Sequence, residues 1–221
     1  MKIYLATNNA KKLKELTRIL AEVGLAGVQV LGGADVSAYP EPAETEWTFE
    51  GNALIKARAG AAATGLITLA DDSGLCVAAL GDMPGVRSSR WAGADHDDTA
   101  NLELVLRQIS DVEPPLRSAK FVSVLALVTP DGFETTTRGE MPGQLTYAPR
   151  GANGFGYDPI FESDDQPPLP PGAPRRTNGE LSAAEKDAIS HRGKAIRAMI
   201  PTLAELLSQP VISGQVLGGA L

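Results

Sequence analysis

Cysteine and histidine are scarce in this chain of 221 residues, which contains one cysteine and two histidines. A single cysteine, Cys76, cannot form an intramolecular disulfide and gives no sign of an oxidising compartment. One cysteine and two histidines are also too few for a zinc site built from those side chains. Aromatic residues make up only 5% of the chain, so we expect a core built mainly from Ala, Val, Leu and Ile.

The chain also lacks an excess of basic residues and long apolar segments. Its net charge is −7 and its pI is about 4.9, whereas non-specific nucleic-acid binding requires a basic face. No apolar run approaches membrane-spanning length, and the N-terminal strand is too short and polar for a signal peptide. We therefore expect a cytoplasmic protein with no nucleic-acid and no membrane partner. Its length fits a single domain with two lobes over residues 1–209, followed by a frayed C-terminal tail at 210–221.

Two common nucleotide-binding motifs are missing, the Gly-x-x-x-x-Gly-Lys-Ser/Thr phosphate loop and the Gly-x-Gly-x-x-Gly turn. The most informative stretch that is present is Ala70-Asp71-Asp72-Ser73-Gly74, which follows an apolar segment. This pattern predicts a strand over 66–70 that ends in carboxylates at a turn, where open α/β folds bind ligands. Such carboxylates can hold Mg²⁺ together with a substrate phosphate. The alternative is a solvated Asp-Asp turn.

Strand and helix patterns alternate along the chain. Strands are predicted at 2–6, 28–31, 66–70, 121–128 and 133–138, with a turn at 130–132 and helices starting after Asn9, Thr48, Asp97 or Asp98, Ser182 and Ser190. Gly65 is expected to end the second helix, and Ser182 with Glu185 forms a capping-box pattern. Pro201 is expected to kink or restart the last helix. The alternation predicts an α/β fold with an antiparallel hairpin added to the sheet.

The first strand passes directly into the first helix through Thr7-Asn8-Asn9-Ala10-Lys11-Lys12. Helix N-termini attract phosphate, because they expose unpaired N–H groups and the positive end of the helix dipole. Short polar side chains and a lysine in the first turn would strengthen such a site. The alternative is an ordinary N-cap followed by solvated lysines.

An acidic loop precedes the second helix and carries Glu41, Glu44 and Glu46. One of these carboxylates could complete a metal site with Asp72, but spacing alone does not choose among them. Lys56 lies four residues after Asn52 on the second helix, so the two side chains share a face that could point to the same cleft. A solvated loop and an ordinary surface lysine are the alternatives.

Two further segments carry residue types suited to a flat, polar ligand. In Gly154-Phe155-Gly156-Tyr157-Asp158-Pro159, an aromatic ring can stack on a nucleobase and a carboxylate can accept a hydrogen bond from it. Lys186 and the run Ser190-His191-Arg192-Gly193 supply donors that could reach a keto group of a purine. The alternatives are a turn whose rings fill the core and a helix start with exposed basic residues.

Taken together, these segments resemble the non-canonical purine nucleoside triphosphate pyrophosphatase family, the inosine and xanthosine triphosphatases. The resemblance rests on residues 7–12, on Phe49 with Asn52 and Lys56, and on residues 70–75, 84–86, 155–159 and 190–193, which follow in the family's order. It implies Mg²⁺-dependent hydrolysis of ITP, dITP or XTP to the monophosphate and pyrophosphate. It also implies an elongated, mixed and curved β-sheet flanked by helices, two lobes around a central cleft, and a homodimer.

The resemblance further assigns roles by position. Thr7, Asn9 and Lys12 would hold the triphosphate, Lys56 would face the phosphates, and Ser73 would touch substrate. Glu44 and Asp72 would position Mg²⁺, and Asp72, with Asp71 beside it, would accept a proton from the attacking water. Phe155 would stack on the purine, while Asp158, Lys186, His191 and Arg192 would line the base pocket with Gly156 and Tyr157 nearby.

One departure from the family concerns Gly51, where many relatives carry glutamate. With Thr48 as the N-cap, Gly51 is the third helical position, so the capping box is lost and the helix start is expected to be softened by roughly 1 kcal/mol. Two other functions stay open. The first is pyrophosphate release from a different modified nucleotide, and the second is a nucleotide-binding regulator without turnover.

Overall fold

The computed structural model describes residues 2–7, 9–22, 28–166 and 169–208; the predictions for Asn8 and for the tail at 210–221 lie outside these residues. The strands are β1 (Lys2–Leu5), β2 (Gln29–Leu31), β3 (Ile67–Val77), β4 (Met83–Pro84), β5 (Ser118–Val128), β6 (Glu134–Leu145) and β7 (Phe161–Ser163). The helices are α1 (Ala10–Glu22), α2 (Phe49–Thr64), α3 (Asp98–Gln108), α4 (Ala183–Ile189) and α5 (His191–Ser208). No helix in the described part of the chain is both long and apolar enough to cross a membrane.

The strands form one mixed sheet in the order β2-β1-β3-β5-β6-β7, with β4 paired to β3. Strands β2, β1 and β3 run parallel, whereas β5, β6 and β7 continue the sheet in antiparallel fashion. The β5–β6 hairpin turns at residues 130–132, as predicted, although both strands are longer than expected. The α/β class with a mixed, curved sheet and flanking helices is therefore confirmed.

Helices cover both faces of this sheet. Small residues of α2, among them Ala53 and Ala57, pack against the even-numbered positions of β5, such as Val122 and Val124. The opposite face packs against α1 and α5 at one end and against α3 at the other. Because side chains alternate along a strand, neighbouring residues of β3 and β5 enter different layers of the core.

The predicted helix ends are confirmed where local hydrogen bonds define them. Thr48 Oγ1 accepts the N–H of Gly51, and Gly65 ends α2 in the left-handed conformation. Ser182 and Glu185 form the capping box of α4, and Asp97, rather than Asp98, caps α3. These motifs depend on side chains and backbone groups only a few residues apart, so the sequence pattern was sufficient to identify them.

One sequence-based expectation was wrong. The strand over 66–70 does not end at Asp71 and Asp72, since β3 continues through them to Val77 and pairs with β5 along this length. The antiparallel partner β5 satisfies the backbone of residues 71–77, so no turn forms at Ser73 and Gly74. Pro201 was expected to kink or restart the last helix; the restart does not occur, because α5 is continuous from His191 to Ser208 with Pro201 inside it.

The start of α2 is fixed by Asn52 as well as by Thr48. The Asn52 side chain is fully buried; its Oδ1 accepts the N–H of Glu46 at 3.0 Å, and its Nδ2 donates to the carbonyl of Glu46 at 3.1 Å. A Cβ placed on Gly51 would lie 2.5 Å from Cγ of Glu46. In this chain the loop before α2 therefore occupies the space that a larger side chain at position 51 would need.

Candidate active site

The two adjacent aspartates lie in the middle of β3 and point to opposite faces of the sheet. Asp72 belongs to the layer of α2, and Asp71 belongs to the layer of α1 and α5. Strand β1 pairs with β3 only at residues 67–69, and β4 pairs only at 76–77. Among the described residues no strand pairs with 70–75 on this edge. The resulting gap lets groups from both faces meet in one cleft.

Asp72 is bound to the groups that α2 and the acidic loop provide. Lys56 Nζ lies 3.0 Å from Asp72 Oδ1 and 2.7 Å from Glu44 Oε1, so one ammonium bridges both carboxylates. The other oxygen of Asp72 has a long contact of 3.5 Å with Asn52 Nδ2. Arg90 Nη1 lies 3.2 Å from Glu44 Oε2. Glu44 and Asp72, which were predicted to form one site, therefore contact the same ammonium group.

The charges around Asp72 differ in their effects on protonation. Burial, the largest influence, raises the pKa of Asp72 above its ordinary value, although Lys56 opposes it. Burial alone would also raise the pKa of Glu44, but Lys56 and Arg90 outweigh it, and the pKa falls below its ordinary value. The pKa of Lys56 is raised because Asp72 and Glu44 outweigh the effect of burial. Of the two carboxylates, Asp72 is the better proton acceptor.

Asp71 is 3% exposed and surrounded by donors. Its Oδ2 lies 2.8 Å from Lys12 Nζ and 3.5 Å from Arg192 Nε, while Ser123 Oγ donates to Oδ1 at 2.5 Å and Ser73 Oγ donates to Oδ2 at 3.1 Å. Burial alone would raise its pKa, but Lys12 and Arg192 hold it well below its usual range. Asp71 therefore stays charged at neutral pH, anchors two cations, and is a poorer proton acceptor than Asp72.

The N-terminus of α1 forms one wall of the cleft. Asn9 Oδ1 accepts the N–H groups of Lys11 and Lys12 at 3.0 and 3.1 Å, and Thr7 Oγ1 accepts the N–H of Asn9 at 3.2 Å. The Asn9 cap therefore already binds two of the backbone N–H groups that were predicted to bind phosphate. The Lys11 ammonium pairs with Asp98 at 3.1 Å, and Ala10 is exposed.

Phe155 forms the far end of the cleft and is surrounded by cations. The charged groups of Lys11, Lys186 and Arg192 lie 5.6, 5.1 and 5.2 Å from its ring centroid. Arg192 is buried, and its Nη1 and Nη2 donate to Glu15 at 2.6 Å and to Ser73 Oγ at 2.8 Å. These cation–π contacts hold three positively charged groups beside the ring, where they could donate to keto oxygens of a bound ligand.

The other predicted base-pocket residues are more deeply placed. Asp158 binds Lys186 Nζ at 2.6 Å, accepts the backbone N–H of Phe155 at 2.8 Å, and is almost fully buried. Tyr157 lies in the core, where its hydroxyl donates to the carbonyl of Ser88 at 2.7 Å. His191 stacks on Phe121 with 4.9 Å between ring centroids. Burial, reinforced by Arg192 and Lys186, keeps the pKa of His191 well below its ordinary value, so the ring is neutral at pH 7.

Most of the predicted site residues line this single cleft. They are Asn9, Lys12, Glu44, Asp72, Ser73, Phe155, Gly156, Tyr157, His191 and Arg192. Thr7 and Lys56 line an adjoining pocket, and Lys11 and Lys186 line a third pocket on the other side of Phe155. Asp71 and Asp158 are buried below these pockets and contact residues that line them through ion pairs.

Comparison with known proteins decides the family. A sequence model of the Ham1 family matches residues 3–202. The chain belongs to the Ham1 family. It is 55% identical over 209 residues to a dITP/XTP pyrophosphatase of Corynebacterium efficiens, covering 95% of this chain and 100% of the relative. A dITP/XTP pyrophosphatase of Mycobacterium tuberculosis is 51% identical over 205 residues, covering 93% and 96% of the two chains.

Solved structures of Ham1 proteins share the fold. The crystal structure of a nucleoside-triphosphatase, dITP/XTP pyrophosphatase, from Mycobacterium abscessus has 51% identity and a TM-score of 0.71, with 92% of this chain and 100% of that chain covered. A Ham1 protein from Coxiella burnetii has 39% identity and a TM-score of 0.80, with 93% and 99% covered. The match over nearly the full length of each chain supports the same arrangement of sheet and helices.

The donor set of the Ham1 cleft fits a hard divalent cation. Lys56 Nζ contacts one oxygen of Glu44 and one of Asp72, so both carboxylates are directed to the same position, where they could hold a cation. Within the described ranges, no group of three or more His, Cys, Asp or Glu side chains is arranged to hold a metal. Mg²⁺ suits such a site, because it keeps several waters and binds through one or two carboxylates plus substrate phosphates.

Sequence reasoning missed three charged residues at this Ham1 site. Arg90 binds Glu44, Glu15 binds Arg192, and Asp98 accepts both the N–H of Gly156 at 3.2 Å and the ammonium of Lys11. Glu15 could have been found, since it lies three residues after Lys12 on the same face of α1. Arg90 and Asp98 carried no such local signal.

Proposed function

We propose that the chain is a Mg²⁺-dependent pyrophosphatase that hydrolyses non-canonical purine nucleoside triphosphates (dITP, XTP and ITP) to the monophosphate and pyrophosphate. The names of the relatives support the substrate class. The observation that carries the proposal is the convergence of Lys12, Glu44 and Asp72 on one cleft that ends at Phe155. The phosphates of a nucleoside triphosphate need cations and a carboxylate pair, and its base needs a stacking surface farther along the cleft. These residues would supply both.

The reaction follows from the two roles of the aspartates. Asp72, whose second oxygen has only a long contact with Asn52, would accept a proton from water as the water oxygen bonds to the α-phosphorus. The bond to the bridging oxygen then breaks, and pyrophosphate leaves. Lys12 and Lys56 would neutralise the charge that grows on the leaving group. Asp71 would keep Lys12 and Arg192 in place. Mg²⁺ held by Glu44 and Asp72 would polarise the phosphate.

Recognition of the base would depend on donors near Phe155. Arg192 and Lys186 can donate to a keto oxygen but cannot accept from the amino group of adenine, so an adenine base would leave donors unpaired. Stacking on Phe155 contributes affinity for any base, roughly 1–3 kcal/mol in single-strand complexes. The keto-directed donors would therefore supply selectivity against adenine, and the ring would supply affinity.

A substrate panel tests this proposal. We expect pyrophosphate release from dITP, XTP and ITP to exceed release from ATP and GTP, to require Mg²⁺, and to be abolished in Asp72→Asn. Asp95→Asn, which changes an exposed aspartate away from the cleft, is the matched control and should be fully active. Wild-type activity after removal of Mg²⁺ would refute the metal requirement. Equal activity towards ATP would refute the substrate class, and tight nucleotide binding without turnover would favour a regulator.

Two further expectations rest on the family resemblance. We infer that the protein is a homodimer in the cytoplasm, where triphosphate substrates of this class are found. Light scattering on the purified chain measures the oligomeric state directly; a monomeric mass at the concentrations used in the activity assay would contradict the dimer.

A further inference from the structure

The turn at Gly85–Arg90 is held rigidly against the open edge of β3. Ser88 Oγ accepts the N–H of Leu75 at 2.8 Å and donates to the carbonyl of Gly85 at 2.6 Å. Tyr157 and Asn101 donate to the carbonyls of Ser88 and Ser89 at 2.7 and 3.1 Å. These bonds tie the turn to β3, to α3 and to the segment around Phe155. They therefore fix the backbone position from which the side chains at the end of the turn extend.

Glu44, in contrast, lies in an irregular loop between Val36 and Thr48. Two cations contact its carboxylate. Lys56 binds Oε1, the oxygen directed to Asp72, and Arg90 binds Oε2. Both partners of the Glu44–Arg90 pair are about a quarter to a third exposed, at 27% and 30% of their side chains, so this pair is shielded from water more than a fully exposed one. Because water and salt weaken a shielded ion pair less than an exposed one, this pair can hold the Glu44 carboxylate in one orientation.

We propose that Arg90 is a positioning residue that orients Glu44 so that Glu44 and Asp72 together can bind a divalent cation. Lys56 contacts the same two oxygens that would face the cation, and like charges repel, so Lys56 alone cannot hold Glu44 when the cation is present. Arg90 binds the opposite oxygen and leaves Oε1 directed to Asp72. Its guanidinium is planar and presented from the rigid turn, which suits orientation of a carboxylate. This inference rests on the proposed function.

The test compares Arg90→Gln with Arg87→Gln. Arg87 belongs to the same turn, but its guanidinium lies over the ring of Trp47, 5.6 Å from the centroid, and it does not contact Glu44. The probe is Mn²⁺, titrated by electron paramagnetic resonance in the presence of an α,β-methylene analogue of dITP. We expect Arg90→Gln to weaken Mn²⁺ binding about tenfold, as loss of a group that orients a metal ligand commonly does. Arg87→Gln should bind as the wild type does.

Steady-state kinetics and a double mutant sharpen the test. In Arg90→Gln the Mg²⁺ concentration for half-maximal activity should rise about tenfold, while the KM for dITP at saturating Mg²⁺ stays near the wild-type value. Arg90→Lys should recover part of the loss. On a Glu44→Gln background, Arg90→Gln should add little, because the two residues act as one unit.

The outcomes separate this inference from the proposed function. If the wild type shows no Mg²⁺-dependent pyrophosphate release, the proposed function fails. If the wild type is active and Arg90→Gln keeps wild-type Mn²⁺ binding and Mg²⁺ response, the role of Arg90 is refuted. A raised KM for dITP with unchanged metal binding would instead show that Arg90 contacts the substrate, which also overturns the inference.

Discussion

Replacing Asp by Asn is expected to change stability differently at the two adjacent aspartates. In Asp71→Asn, the partly buried Lys12 and the buried Arg192 lose the carboxylate that neutralises them, while the donors Ser123 and Ser73 face an amide. Removing one partner of a buried ion pair costs about 3–5 kcal/mol. Since Arg192 keeps Glu15, we expect the lower end, about 3 kcal/mol of unfolding free energy.

Asp72→Asn has a different consequence for stability. Lys56 keeps Glu44 as a partner at 2.7 Å, so no buried cation is left alone. The folded state raises the pKa of Asp72, and such a group lowers stability once the pH is above that value. At pH 7 the substitution removes this penalty, and we expect stability equal to or slightly above that of the wild type, with activity lost.

Urea unfolding and thermal melts of the two variants measure this contrast. A loss of 3 kcal/mol corresponds to a decrease in Tm of roughly 6–12 °C for a chain of this size. The loss should shrink in acid. The folded state lowers the pKa of Asp71, so its stabilisation is complete above its unfolded pKa of about 3.9 and disappears as the pH falls towards the folded value. Equal melting of the two variants, or an active Asp72→Asn protein, would refute the division of roles between the faces of the sheet.

Three further predictions test the site and its support. Pyrophosphate release should increase with pH from acid to neutral and reach a plateau, because Asp72 must be deprotonated and its pKa is raised; a rate independent of pH between 4 and 7 would argue against Asp72 as the proton acceptor. Phe155→Leu should raise the KM for dITP about tenfold through loss of stacking, with a smaller effect on kcat, whereas Phe133→Leu at the exposed hairpin turn should change neither. Gly51→Glu should lose about 1–2 kcal/mol of stability because its Cβ would overlap Cγ and Cβ of Glu46, and Glu46→Gly in the same chain, which removes both atoms, should recover most of the loss; a stable single variant would show that the loop before α2 moves freely.

Sequence patterns identified the parts of the site that depend on local chemistry. The junction from β1 to α1, the carboxylate of Asp72 and the aromatic Phe155 all contribute to the cleft, and α2 starts after Thr48 as predicted. The alternation of strands and helices was also sufficient for the fold class. Such features arise from interactions within a few residues, or from residue types that a strand or helix end requires, and one sequence contains that information.

Tertiary structure alone decided how these parts act together. Asp71 and Asp72 look equivalent in the sequence, but pairing with β5 continues the strand through them and sends them to opposite faces, where one anchors cations and the other faces the loop of Glu44. Arg90 and Glu44 are 46 residues apart, and Arg192 and Glu15 are 177 residues apart. The energy of such pairs depends on distance and burial after folding, and neither quantity is encoded in the spacing along the chain.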